Sequence, residues 1–522
     1  MDGNISENIY ELDKPIKAAV FNHTYYDKST LQARTEAAGE QLVDCLRDDL
    51  GITDIDHHLN LTKQGVLNAL INLSKRGDEY SGLIIGVSSH GDLEDPYGNY
   101  NEIIHAKDMP FAKNELWKHF ENEIGWKDKP IILFIQACRG TDSTPGVLYA
   151  QDVGDEEAPK EKFTVPKYPN LFIMNASQPG TVSFRWNDTT PFIESLVEVL
   201  RERATTWDLQ SIATHVCHNV ALSFEACNVD HDHYKCSLQM PCFETTLTKK
   251  FYFPVKDFKE EVFTKEYEIE KKGLAMLFFY DYAGSEFPTR ENIEVDQHLL
   301  KETLNKLHFD IEIHHNKGFH QLIAILSDQS KLDKYDMSLV VFSGYGERDE
   351  LILPDANIGV NDIWQSFLGE KDHPLLKKPK MFIISACPHP SDDPLIEIEG
   401  VSGKFDKLNI PRVPPAENVQ TCRSHVEGVT NIPITADLLI CFESAAGRVR
   451  YADDQYEGTP YFKYLCDALL DKDNQDFASA LVMANRKFKK LMDEEYDDDF
   501  EYYRETPIFF TTLRKLFPII RK

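Results

Sequence analysis

The chain has 522 residues, 42% of them hydrophobic and 27% charged, an ordinary globular balance too long for a single core. Its formal net charge of −30 argues against a nucleic-acid partner, because phosphate binding wants a basic face. No run of about 20 apolar residues exists, so no membrane span is expected, and the polar opening MDGNISENIYELDKP does not read as a secretory signal.

In chain order, the first element is an apolar strand, IKAAVFN (16–22). Amphipathic helical stretches follow in GEQLVDCLRDDL (39–50) and KQGVLNALINLSKR (63–76). The strand in SGLIIGVSSHGD (81–92) ends in small residues, and the strand in KPIILFIQACRG (129–140) ends in Ala-Cys. Residues 139–170 are rich in Gly, Pro and acid and read as a loop. A helix is predicted in TPFIESLVEVLRERA (190–204), and MPCFETTLTKKFYF (240–253) closes the pattern.

The same landmarks then recur in the same order. LAMLFFY (274–280), MSLVVFSGYGER (337–348), KPKMFIISACPH (378–389) and TPIFFTTLRKLFPI (506–519) repeat the four strand landmarks, and a longer proline-rich loop (388–434) again follows the cysteine. Apolar strands alternating with helices mean a mostly parallel sheet covered on both faces. The expected class is α/β: two tandem domains, 1–256 and 257–522, each a mostly parallel sheet between layers of helices. The charge-dense stretch 255–273 reads as the linker. The acidic run DEEYDDDFEYY (493–503) reads as a solvated face. Ten scattered cysteines in mostly apolar contexts read as reduced, largely buried thiols of an intracellular protein.

Chemistry concentrates in the first copy. Reactive groups in parallel sheets gather at the carboxyl ends of strands. His90 follows one such strand and Cys138, 48 residues later, follows another. A thiol nucleophile needs a partner that keeps it as thiolate or takes its proton, and histidine does both near neutral pH. Gly91 lets a backbone N–H approach a developing oxyanion. The run Gln136, Ala137, Cys138, Arg139, Gly140, with a histidine about 50 residues upstream, resembles the caspase family.

That resemblance covers nearly all of both copies and implies, in each domain, a three-layer sandwich around about six strands, and an endopeptidase that cleaves after aspartate, in programmed cell death or innate immune signalling. It implies a large part (about 1–155) and a small part (156–256) of the first domain, separated by processing, for which Asp155 is the candidate. It implies a pocket in which Gln136, Arg34 and Arg185 take the aspartate carboxylate, a geometry guanidinium groups suit. Ser183, Phe184 and Arg185 resemble the family's Ser-Trp-Arg stretch, with Phe184 walling the neighbouring subsite. The segment after Arg34 is shorter than the family's usual one.

In the second copy the expected site is degenerate. Tyr345 stands for His90, Ser385 for Gln136 and Ala452 for Arg185, while Cys387 is kept and Arg290 stands for Arg34. Tyrosine, with its pKa near 10, is a poor acceptor for a thiol proton. The second domain therefore reads as a pseudo-caspase that docks on the first through its matching closing strand. Expected partners are protein substrates, the chain's own second domain, and other caspases or inhibitor proteins. No cofactor, metal, nucleic acid or membrane is expected, and the location is cytoplasmic. The histidines of HVCHNV (215–220) and DHDHYKC (230–236) do not fall on a zinc spacing. Two other readings differ in class. One is a decoy that binds and regulates other caspases, which the intact Cys138, His90, Gln136 and Arg185 argue against. The other is a metacaspase-like protease for basic residues, which two basic pocket residues argue against.

Overall fold

The structure, a computed structural model, describes residues 8–28, 31, 33–34, 36–94, 101–121, 123–140, 169–185, 188–227, 237–255, 263–285, 287, 289–290, 293–346, 350–368, 373–387, 420–421, 435–443, 458–495 and 507–521. Asp155, Ala452, Pro388, His389 and most of both long loops lie outside them, and of Cys387 the backbone is described.

Six strands of the first copy are β1 (Ile16–Asn22), β2 (Ile55–Leu59), β3 (Gly82–Ser88), β4 (Ile131–Gln136), β5 (Leu171–Asn175) and β6 (Cys242–Thr245). Six of the second are β7 (Gly273–Phe279), β8 (Phe309–His315), β9 (Met337–Tyr345), β10 (Lys380–Cys387), β11 (Leu438–Phe442) and β12 (Ile508–Thr511). They form one twelve-stranded sheet in the order β8-β7-β9-β10-β11-β12-β6-β5-β4-β3-β1-β2. Within each copy five strands run parallel and the last is antiparallel to its neighbour. The predicted class of two tandem α/β domains with mostly parallel sheets is therefore observed.

The two halves meet at β6 and β12, which pair antiparallel with Phe243 opposite Thr511, Glu244 opposite Phe510 and Thr245 opposite Phe509. Each closing strand covers the edge the other would expose. The outer edges, β2 (IDHHL) and β8 (FDIEIHH), carry Asp, Glu and His among their apolar residues, which discourages further edge pairing. Edge polarity is also why neither strand stood out in the sequence.

Helices cover both faces. On one face, Ala37–Asp44, Pro191–Arg203 and Leu209–Ser223 of the first copy and Ile293–Lys306, Pro460–Leu470 and Phe477–Glu495 of the second share one continuous apolar core. On the other face each copy has its own cluster, with Cys242 of the first joining that of the second. The helix predicted over 39–50 is α-helical to Asp44 and continues as a π turn through Cys45–Asp49. Thr62 and Thr190 cap the helices Lys63–Ser74 and Pro191–Arg203 by accepting backbone N–H groups of Gly65 and Ile193. The linker is less free than its charge suggests. Its described part is pinned: Phe263 packs on Trp207 with ring centroids 4.7 Å apart, and the buried Tyr267 donates to Asp437 Oδ1 at 2.5 Å.

Candidate active site

The site is built on register. Ser88 at the end of β3 pairs with Gln136 at the end of β4, and the Ser89 N–H donates to the Gln136 carbonyl at 3.0 Å. The next residue on one strand is His90, and two residues on along the other is Cys138. Closeness at this point is strict: a Cβ on Gly91 would lie 2.1 Å from the Cys138 carbonyl oxygen. Gly91 is thus required for the strand ends to touch, a more demanding role than access for an N–H. Gly140, at φ 155°, is required for a similar reason, since a Cβ there would lie 2.2 Å from the Gly180 carbonyl oxygen.

Cys138 is half-buried. Its Sγ receives the Ser183 N–H at 3.4 Å and lies 3.6 Å from Ser183 Oγ. Among the described free cysteines the other five are buried, and burial above all pushes the thiols of Cys45, Cys242, Cys441 and Cys466 up to about 12. Such thiols are inert at neutral pH, and Cys138 differs from them in exposure and surroundings. His90 is 8% exposed, and its N–H donates to the Tyr26 hydroxyl at 3.2 Å.

Of the three expected pocket residues, Gln136 reaches Ser183 beside the thiol, and Arg34 and Arg185 lie near each other. Gln136 is buried and donates from Nε2 to Ser183 Oγ at 3.0 Å, while its Oε1 has no hydrogen-bond partner among the described residues. Turning that amide over lets Oε1 accept from Ser183 Oγ and puts an N–H donor in the unpartnered position. Arg34 Nη1 donates to the Ser89 carbonyl at 2.5 Å, and Arg185 Nη1 donates to the Ala33 carbonyl at 3.4 Å. Burial and then the neighbouring Arg34 charge depress the Arg185 pKa, against the pull of Asp188. Two guanidinium groups near enough to repel, with Arg185 partly desolvated, favour a neighbouring anion. Phe184 is buried at 4% exposure, with its ring 5.1 Å from Phe224, so it is core as much as wall.

Below the site lies a buried charge cluster that sequence reading missed. Arg139 pairs with Glu102 and, at 3.2 Å, with Glu244 Oε1, and Lys113 pairs with the same two carboxylates at 2.7 and 3.3 Å. Burial pushes the Glu102 carboxyl up, but Arg139 and Lys113 outweigh it and hold the group down at about 2. A charged residue within the Gln136–Gly140 run was the available signal.

In the second copy the register sets Tyr345 opposite Cys387 and Ser343 opposite Ser385, matching Ser88 and Gln136. There Ser385 Oγ donates to the carboxylate of Glu443, and both residues are buried. Arg290 donates to the Tyr280 carbonyl at 3.0 Å and to Ser343 Oγ at 3.3 Å, with its guanidinium carbon 5.8 Å from the Tyr345 ring centre. A carboxylate thus stands beside Ser385, and an aspartate side chain would be repelled there.

His215 and His218 stack at 5.8 Å, with Trp207 and Phe263 edge-on to His215. Among the described residues no group of three or more His, Cys, Asp or Glu is placed to hold a metal ion, and no helix is long and apolar enough to cross a membrane.

A model of the caspase domain matches residues 16–252 and again 272–518. Caspase-1 of Spodoptera frugiperda is 29% identical over 248 residues, 46% of this chain and 78% of that protein. Caspase drICE of Drosophila melanogaster is 26% identical over 250 residues, 46% of this chain and 70% of that protein. Caspase-6 of Gallus gallus is 27% identical over 224 residues, 42% of this chain and 70% of that protein. A crystal structure of caspase-1 from Spodoptera frugiperda, at 26% identity and a TM-score of 0.41, covers 49% of this chain and 98% of its own. Matched twice along nearly its whole length, the chain belongs to the caspase domain family of cysteine peptidases and carries two tandem copies of that domain.

Proposed function

We propose that the chain is an aspartate-directed cysteine endopeptidase with one active site, in the first domain, and that the second domain is its built-in dimer partner. In this reading Cys138 attacks the scissile carbonyl, His90 takes the thiol proton and passes it to the leaving amine, and a water then hydrolyses the acyl-enzyme. Backbone N–H groups at Gly91 and Cys138 face the developing oxyanion. Arg34, Arg185 and Gln136 receive the aspartate carboxylate. By likeness to its relatives the enzyme serves apoptosis, and processing after Asp155 separates its large and small parts.

One observation carries the reading. In the first copy Ser183 contacts both Gln136 and Cys138, and Arg34 holds the peptide unit before His90, whereas in the second copy Ser385 is bonded to the Glu443 carboxylate and Arg290 to Ser343 and the Tyr280 carbonyl, which supports a single site in the first domain. The pairing of β6 with β12 and the shared core support the partner role. The test is hydrolysis of a fluorogenic peptide with aspartate before the scissile bond. Cys138→Ala should lose about 10³-fold or more of the activity, because no acyl-enzyme forms. Cys387→Ala should stay near wild type. A wild-type chain without activity, or a folded Cys387→Ala protein that has lost it, contradicts the reading.

A further inference from the structure

His90 is held by its backbone, and the peptide unit that precedes it is gripped from both ends. The carbonyl of Ser89 accepts Arg34 Nη1 at 2.5 Å. The N–H of the same peptide unit, on His90, donates to the Tyr26 hydroxyl at 3.2 Å. Tyr26 is 5% exposed, and its own O–H donates to the His23 carbonyl at 2.8 Å, so the hydroxyl is fixed in turn. Ser89 Oγ lies 3.1 Å from that hydroxyl and donates to the His105 carbonyl at 2.5 Å. The His105 N–H returns to the His90 carbonyl at 2.9 Å. The Tyr26 and His90 rings sit 5.0 Å apart, tilted by 58°.

One end of this grip is a residue read above as a substrate ligand. When a carboxylate enters the pocket it competes with the Ser89 carbonyl for Arg34, and the peptide unit loses part of its restraint at the moment the histidine must be in place. The other end, Tyr26, touches no substrate group and is untouched by that competition. We propose that Tyr26 is a positioning residue for catalysis, whose hydroxyl holds the peptide unit of His90, and with it the imidazole, while Arg34 is engaged by substrate. This rests on the reading of His90 and Arg34 given under the proposed function.

The second copy supplies an internal control. There the Tyr345 N–H donates to the Tyr282 hydroxyl at 2.7 Å, and the two rings stack at 4.7 Å. The tyrosine bond thus persists where no histidine follows it, as a piece of scaffold. At the other end Arg290 holds the Tyr280 carbonyl and Ser343 Oγ, and the residue in the place of Ser89 is Gly344. A scaffold role and a positioning role therefore make different predictions for the two tyrosines.

The experiment compares Tyr26→Phe with Tyr282→Phe in the full chain. It uses an aspartyl peptide substrate, with kcat expressed per active site titrated by an irreversible aspartyl inhibitor. Tyr26→Phe should lower kcat on the order of tenfold with KM within about twofold, since the lost restraint acts on the reacting group and not on binding. Tyr282→Phe should cost comparable thermal stability and leave kcat per site unchanged. Should Tyr26→Phe not fold, Tyr26→Met, apolar and adaptable in shape, takes its place with the same expectation. Unchanged kcat in the Tyr26 variant overturns the inference, as does an equal fall in Tyr282→Phe. A wild-type chain with no titratable site instead overturns the functional reading beneath it.

Discussion

Arg139 Nη2 lies 3.2 Å from Glu244 Oε1, which joins the residue after the candidate nucleophile to the strand at the centre of the sheet. Glu244 stands opposite Phe510 of the second copy in the β6–β12 pairing, and it also receives Asn175 Nδ2 at 3.0 Å. The cluster therefore couples the seam between the copies to the loop carrying Cys138.

Removing one carboxylate from a buried cluster strands the cations around it. Glu244→Ala leaves Arg139 and Lys113 sharing Glu102, at a cost of about 3–5 kcal/mol. The expected outcome is a clear fall in Tm together with fewer titratable active sites per chain. Unchanged Tm and titre in Glu244→Ala would show that the cluster couples nothing.

Specificity should fall on Arg185. Truncating it leaves a substrate carboxylate poorly neutralised in a partly desolvated pocket. Arg185→Ala should lower kcat/KM for aspartyl peptides by about 10²–10⁴. Peptide-library profiling checks the premise, and a wild-type preference for Lys, Arg or an apolar residue before the cut ends the aspartate reading.

Acid should loosen the chain in a defined window. Burial, and then the charge of Lys265, hold His215 and His218 down at about 4, and burial alone is the main cause of the same shift in His23. A folded-state pKa below the unfolded value of about 6.5 means the unfolded chain binds more protons between those limits. Stability is therefore fully present above about pH 6.5 and falls toward pH 4. Glu102, depressed to about 2, extends the loss further into acid. Denaturant midpoints measured between pH 7 and pH 4 should fall, and His218→Gln should flatten the slope. A pH-independent midpoint contradicts this account.

Much of this was legible in the sequence, for physical reasons. Apolar runs ending in small residues gave β3, β4, β9 and β10, whose ends the register sets side by side in each copy. The edge strands β2 and β8 were missed because Asp, Glu and His residues interrupt their apolar ones, which blurs the apolar signal. Strand β5, LFIMN, is short and follows a long loop. Glu244 could not be tied to Arg139 in advance, because 105 residues separate them and only the fold brings them together. Tyr26 was invisible for the same reason, since its contact with His90 runs through a backbone N–H that any residue would carry.

The central claim is one active site per chain, completed by the chain's own second half. Four landmarks in each copy, the β6–β12 seam and the continuous core under it all bear on that arrangement. The most direct measurement is titration of the full chain with an irreversible aspartyl inhibitor, at a dilution where sedimentation gives a single species of known mass. The account predicts one mole of inhibitor bound per mole of chain, at Cys138, in a particle with the mass of one chain. Two moles per chain, or titratable sites appearing only in particles of two chains or more, would contradict it.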